Sequence, residues 1–127
     1  MFSHIMVGAN DVQQSKTFYN ATLGALGYEP GVEDEKGRVF WISKGGVFGI
    51  TNPIDGELAC HGNGSTIGFA ADSTEAADAW HAAGVANGGI ACEDPPGIRE
   101  GRTDKLYLAY LRDPDGNKLC ALHRIKE

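Results

Sequence analysis

A segment near the start of this chain returns, worn but ungapped, in its second half. His4-Ile5-Met6-Val7-Gly8-Ala9-Asn10 overlies Thr66-Ile67-Gly68-Phe69-Ala70-Ala71-Asp72 at a shift of 62 residues. The same shift sets Phe18 on Trp80 and Gly27 on Gly89. Each copy reads as a strand, a capped helix and a glycine-marked exit. An internal repeat constrains a fold more than any local propensity does. Two half-modules of this size cannot each bury a sheet face, so they are expected to share one core.

Within module one, Ile5 and Val7 alternate with His4 and Met6, as on a strand with two different faces. Asp11 followed by Gln14 resembles a capping box, and Val12, Phe18, Tyr19 and Leu23 fall on one helical face. Gly24 or Gly27 ends that helix. Strands are expected over 28–32, 38–43 and 47–51, the middle one rich in β-formers (Val39, Phe40, Trp41, Ile42). Module two repeats the order. A strand over 65–71 leads to a helix capped by Asp72 with Glu75 and closed by Gly84. A short strand over 89–93, a loop over 94–104 and strands over 105–112 and 118–124 follow. Asp113-Pro114-Asp115-Gly116 has strong turn chemistry between the last two. The expected architecture is α+β: two tandem βαβββ modules forming a cupped, barrel-like mixed sheet with helices outside. Module one spans 1–51, a polar linker 52–64 and module two 65–127, in a single domain.

The net charge of −6 speaks against a nucleic-acid backbone as partner. No stretch reaches the length of a membrane span, and the first residues lack a basic start and a long apolar core. Cys60, Cys92 and Cys120 are odd in number and show no C-x-x-C spacing. A cytoplasmic protein with reduced thiols is the expectation.

The segment DVQQSKTFYNATLG from Asp11 to Gly24, the segment LRDPDGNKLCAL from Leu111 to Leu122 and the first-strand His4 together resemble the vicinal oxygen chelate superfamily. That superfamily includes glyoxalase I, bleomycin-resistance proteins, fosfomycin-resistance enzymes and extradiol dioxygenases. The resemblance covers nearly the whole chain. It implies a small-molecule ligand held in the cupped sheet and, in metal-using members, a divalent ion bound by histidine and carboxylate from the first and last strands of each module. Such an ion would act as a Lewis acid on substrate oxygens. It also implies a homodimer.

At those positions this chain keeps His4, but it has Thr66 where the second histidine would stand and Cys120 where glutamate is usual. The strand over 47–51 offers no ligand. His4 and Cys120, joined by His61 of the linker, could still form a soft three-ligand site. Alternatively Cys120 is a small apolar filler. His4 is also the expected general base, since imidazole titrates near neutrality. Met6, Trp41, Phe48, His61, Thr66 and Tyr107 are the expected lining of a ligand cavity, with packing as the competing role for each aromatic. Arg99, on the loop after Pro95-Pro96-Gly97, could clamp a carboxylate. Two functions stay open. One is a metal-assisted lyase- or dioxygenase-like enzyme, with ordinary glyoxalase I chemistry disfavoured by the incomplete ligand set. The other is a metal-free protein that sequesters a drug or toxin.

Overall fold

The computed structural model describes residues 1–126. The first half runs β1 (His4–Gly8), α1 (Val12–Ala25), β2 (Val32–Glu33), β3 (Val39–Ser43) and β4 (Gly46–Thr51). The second runs β5 (Ile67–Ala70), α2 (Thr74–Ala86), β6 (Ile90–Ala91), β7 (Gly97–Glu100), β8 (Lys105–Arg112) and β9 (Lys118–Ile125). The first sheet has the order β1-β4-β3-β2. The second has β5-β9-β8-β6, with β7 also paired to β8. In both, the first and last strands of the half run parallel and the rest antiparallel. The result is the expected α+β, cupped arrangement, with the barrel left open. No helix among the described residues is long and apolar enough to cross a membrane.

The helix starts and stops explain the element lengths. Asp11 caps α1, its carboxylate accepting the Gln14 N–H at 3.1 Å. The expected cap on α2 shifts by one residue, because Ser73, not Asp72, has the extended backbone and accepts the Ala76 N–H at 3.0 Å. Gly27 and Gly88 follow the two helices in the left-handed region, with φ of 99° and 95°. The second helix is therefore one residue shorter, and the helix-exit glycines match at a shift of 61 instead of 62. Gly84 does not end α2; it lies buried inside it. The stretch over 94–104 is not all loop either. Gly97–Glu100 pairs with Lys105–Leu108 as a hairpin strand, and Gly101 donates its N–H to the Asp104 carbonyl at 2.7 Å.

One core serves both halves. Ser15, Phe18, Tyr19, Thr22 and Leu23 bury one face of α1, and Ala77, Trp80 and Gly84 one face of α2. These pack with Val39, Trp41, Phe48 and Ile50 of the first sheet and Ala109, Leu111, Leu119 and Ala121 of the second. The Phe48 and Phe69 rings meet edge to face at 5.4 Å across the halves.

The turn between β8 and β9 ties the halves by hydrogen bonds. Tyr19 of α1 donates its phenol proton to Asp113 Oδ2 at 2.5 Å, and Ser15 donates to Asp115 Oδ2 at 3.1 Å. The Asn10 N–H reaches Asp115 Oδ1 at 3.0 Å, and the Asn117 amide donates to the Gly8 carbonyl at 3.2 Å. The two sequence segments that carry the family resemblance are thus bonded to one another.

Candidate functional site

Strand register sorts the side chains into two faces. Trp41 and Phe48 are opposite one another and pack on Tyr19 of α1, with ring centroids at 5.6 and 4.7 Å. Tyr107 reaches α2, donating its phenol proton to Asp78 at 2.6 Å. The alternate positions therefore face away from the helices, into the cup. In the first sheet these form the rungs Met6–Gly49–Phe40–Val32 and His4–Val47–Ile42. In the second they form Gly68–Cys120–Tyr110 and, one rung along, Lys118–Arg112–Ile90. The repeat makes Met6 equivalent to Gly68, Gly49 to Cys120, and Phe40 to Tyr110.

On the first sheet the cup is largely apolar, with the Arg38 guanidinium 5.6 Å over the Phe40 ring and ion-paired with Asp34. A Cβ on Gly49 would stand 2.5 Å from the Met6 sulfur and 2.9 Å from the Phe40 ring, so those side chains fill the place where a ligating residue would project. Ile42 and Val32 are largely exposed on the same face, at 69% and 60%. His4 is exposed at the strand's beginning, its Nδ1 2.8 Å from the Ser3 hydroxyl.

The second sheet carries charge. Lys118 forms an ion pair with Glu93, and its ammonium lies 5.2 Å from the Tyr110 ring centroid. Burial pushes the Cys120 thiol upward, Glu93 adds to this and Lys118 opposes it. In the metal-free chain Cys120 is thus held toward its neutral thiol form, which makes it a poor nucleophile. Burial, then Cys120 and Glu93, also raise the Tyr110 phenol. Glu93 is the one non-glycine among the described residues with positive φ, at 58°. Such a conformation in a residue with a Cβ is uncommon and is often found at sites of function.

The expected soft three-ligand site is not assembled within the chain. Ala59 packs on Gly8 at the far end of β1, and His61 sits against Gly116 in the β8–β9 turn, which itself bonds to Gly8 through Asn117. His61 thus lies toward the Gly8 end of β1, and His4 begins the strand at the other end. Among the described residues no three His, Cys, Asp or Glu groups gather where they could hold a metal ion. A divalent ion does not fit the donors that the described residues of one chain present.

Trp41 and Phe48, on the helix-covered face, line a cleft of about 260 Å³ between the first sheet and β5, together with Phe69 and with Val47 and Gly68 of the cup rungs. His4 is among its lining residues; Met6 and Thr66 are not. Arg99 turns its guanidinium onto the carbonyls of Asp94 and Pro95, at 3.1 and 2.9 Å, and so braces its own loop. Thr66 is exposed just before β5. Phe40, Tyr110, Lys118 and Glu93 were not among the expected site residues. The turn over 113–116 holds the signal for two of them: it pairs Arg112 with Lys118 and hence Tyr110 with Cys120.

The family model of the Glyoxalase/Bleomycin resistance protein/Dioxygenase superfamily matches residues 1–121. A solved glyoxalase/bleomycin resistance protein from Albidiferax ferrireducens T118 is 65% identical, with a TM-score of 0.94 over 98% of this chain and 99% of that one. A putative glyoxalase from Bacillus halodurans superposes with a TM-score of 0.76 at 18% identity, over 97% of this chain and 95% of that one. A family enzyme from Burkholderia phytofirmans PsJN gives 0.72 at 16%, covering 97% and 98%. These last two likenesses show the fold alone. No curated protein matches the chain. With its sheet order, its bonded motif pair and this match over nearly its whole length, the chain belongs to the Glyoxalase/Bleomycin resistance protein/Dioxygenase superfamily.

Proposed function

We propose that this protein binds a small organic molecule on the cupped faces of its sheets and sequesters it, without metal-dependent catalysis. The observation that carries this reading is the composition of the four repeat-related positions, which hold His4, Thr66, Gly49 and Cys120. One imidazole and one thiol are too few donors for a divalent ion. The surrounding surface, with Met6, Phe40, Ile42 and Tyr110, suits an apolar or aromatic body with a few polar contacts. The faces are open in one chain, and the family commonly closes its cups by pairing, so a homodimer is part of the proposal. Three cysteines without disulfides agree with a reducing cytoplasm.

The second reading is a metal-assisted lyase or dioxygenase in which His4 serves as ligand or general base. It is favoured by His4 itself, which keeps the family's first-strand position and is exposed beside a cleft. Elemental analysis of untagged protein, paired with thermal-shift screening of aromatic and heteroaromatic molecules, separates the two. The proposal expects less than one metal per several chains and ligand-dependent stabilisation that survives His4→Ala. Stoichiometric metal abolished by His4→Ala would overturn it in favour of the enzyme.

A further inference from the structure

We propose that the cup face of the second sheet selects ligands bearing a carboxylate or similar oxyanion, received by the Lys118 ammonium beside the Tyr110 ring. The inference rests on the reading that this face binds a small molecule, and it adds the chemical class of that molecule.

Lys118 and Arg112 are directly opposite across β8 and β9, on the face turned away from α2. Like charges so placed repel unless something compensates. The chain as a whole carries −6, so a doubled cation here runs against its average. The two side chains diverge. Arg112 turns to the carbonyl of Gly116 at 2.7 Å, while Lys118 turns to Glu93. Gly116 contributes a neutral acceptor, so Lys118, Arg112 and Glu93 together carry one positive charge in excess, with Glu93 shared with Lys118 alone.

Three features make that excess usable. The Lys118 side chain is 24% exposed, so it is neither buried nor free to wander. Its place over the Tyr110 ring holds the ammonium next to an aromatic surface on which a ligand's apolar body can lie. Its counter-ion is 46% exposed, on a residue in an uncommon backbone conformation, and can be displaced by a ligand carboxylate. The repeat supplies an internal control. Position 118 corresponds to Val47, which faces Ile42 where Lys118 faces Arg112. The first sheet has no charge at that rung beyond His4, and its cation–ring pair lies elsewhere, with Arg38 5.6 Å over the Phe40 ring and ion-paired with Asp34.

The test is calorimetric titration of the full chain with phenylacetate and with phenylacetamide, its neutral isostere. Wild type is expected to bind phenylacetate about tenfold more tightly than the amide, as a charge-assisted hydrogen bond provides. The preference should shrink as salt is raised, because the pair is partly exposed. Lys118→Met should lower phenylacetate affinity about tenfold and abolish its preference over the amide. Glu93→Gln should strengthen phenylacetate binding several-fold, since it removes the competing carboxylate, and a purely structural role for the ion pair would not produce that gain. If Lys118→Met fails to fold, Glu93→Gln and the salt series carry the same test. Equal affinity for the two probes in wild type overturns the inference while sparing the binding face. Binding of neither probe overturns both.

Discussion

Asp113 is 3% exposed and accepts four hydrogen bonds, from the Tyr19 phenol, the Asn117 side-chain amide and the N–H groups of Asp115 and Asn117. Its turn motif therefore reads more convincingly as a clamp between halves than as part of a ligand site. Tyr19 is itself fully buried, so its phenol has no water to fall back on. Tyr19→Phe is expected to cost about 1.5–3 kcal/mol in urea unfolding, the usual worth of a hydrogen bond to a charged group. There is also a pH signature. Burial first, and then the carboxylate of Asp113, raise the Tyr19 pKa well above its ordinary 10.0. Above that pH the unfolded chain loses the proton while the folded chain keeps it, so the contribution is intact below pH 10 and is lost as pH rises. Wild type should lose stability on the alkaline side, and Tyr19→Phe should flatten that loss. Some slope will persist, because Tyr107 and Tyr110 are raised too. An unchanged alkaline limb in the variant would refute the assignment.

Gly84 shows what an element-scale reading can and cannot extract. In a sequence it resembles a helix terminator, yet it sits within α2 where a Cβ would stand 2.2 Å from Leu111 Cδ1 and 3.2 Å from Thr22 Cγ2. The absent side chain lets α2 approach both β8 and α1. Gly24, exposed inside α1, has nothing within 4 Å of the same construction. The two glycines should respond with opposite signs to one substitution. Gly24→Ala is expected to raise stability by about 0.5–1 kcal/mol through helix propensity. Gly84→Ala should lower it by about 1–3 kcal/mol through overpacking. Thermal unfolding of both variants reads the difference directly, and a stabilised Gly84→Ala would contradict the close approach. Elements marked by local chemistry were legible: Asp11 as a cap, the turn over 113–116, and the alternation that sends Ile5 and Val7 opposite to His4 and Met6. What depended on tertiary approach was not. The repeat alone does not show that Ser73 displaces Asp72 as cap, that 97–100 closes a hairpin, or that Trp41 faces the helix while Phe40 faces the cup. Both aromatics sit on one strand, and only pairing with β4 and α1 decides which parity is covered.

At the scale of the whole molecule, the halves are joined by a continuous apolar cluster and by the Asp113–Asn117 turn. Each sheet rests one face on that shared core, so the melting of one half exposes apolar surface of the other. Unfolding should therefore be a single cooperative transition despite the internal repeat. The chain carries its own reporters. Trp41 lies in the first half and Trp80 in the second, and both are buried, at 4% and 0% exposure. Trp41→Phe leaves only Trp80 to fluoresce, and Trp80→Phe leaves only Trp41. Each variant will be less stable than wild type by its own amount. Trp41 loses an indole hydrogen bond to Asn20 at 3.1 Å, whereas the Trp80 indole nitrogen has no protein partner to lose. The informative comparison is within each variant: the fluorescence midpoint in urea should coincide with its own far-ultraviolet circular dichroism midpoint. Coincidence in both variants means that a probe in either half reports the melting of the entire molecule. A fluorescence midpoint in one variant that precedes its dichroism midpoint would show that the half carrying the remaining tryptophan opens by itself. The shared core would then be a contact between two autonomous modules instead of the reason that either one folds.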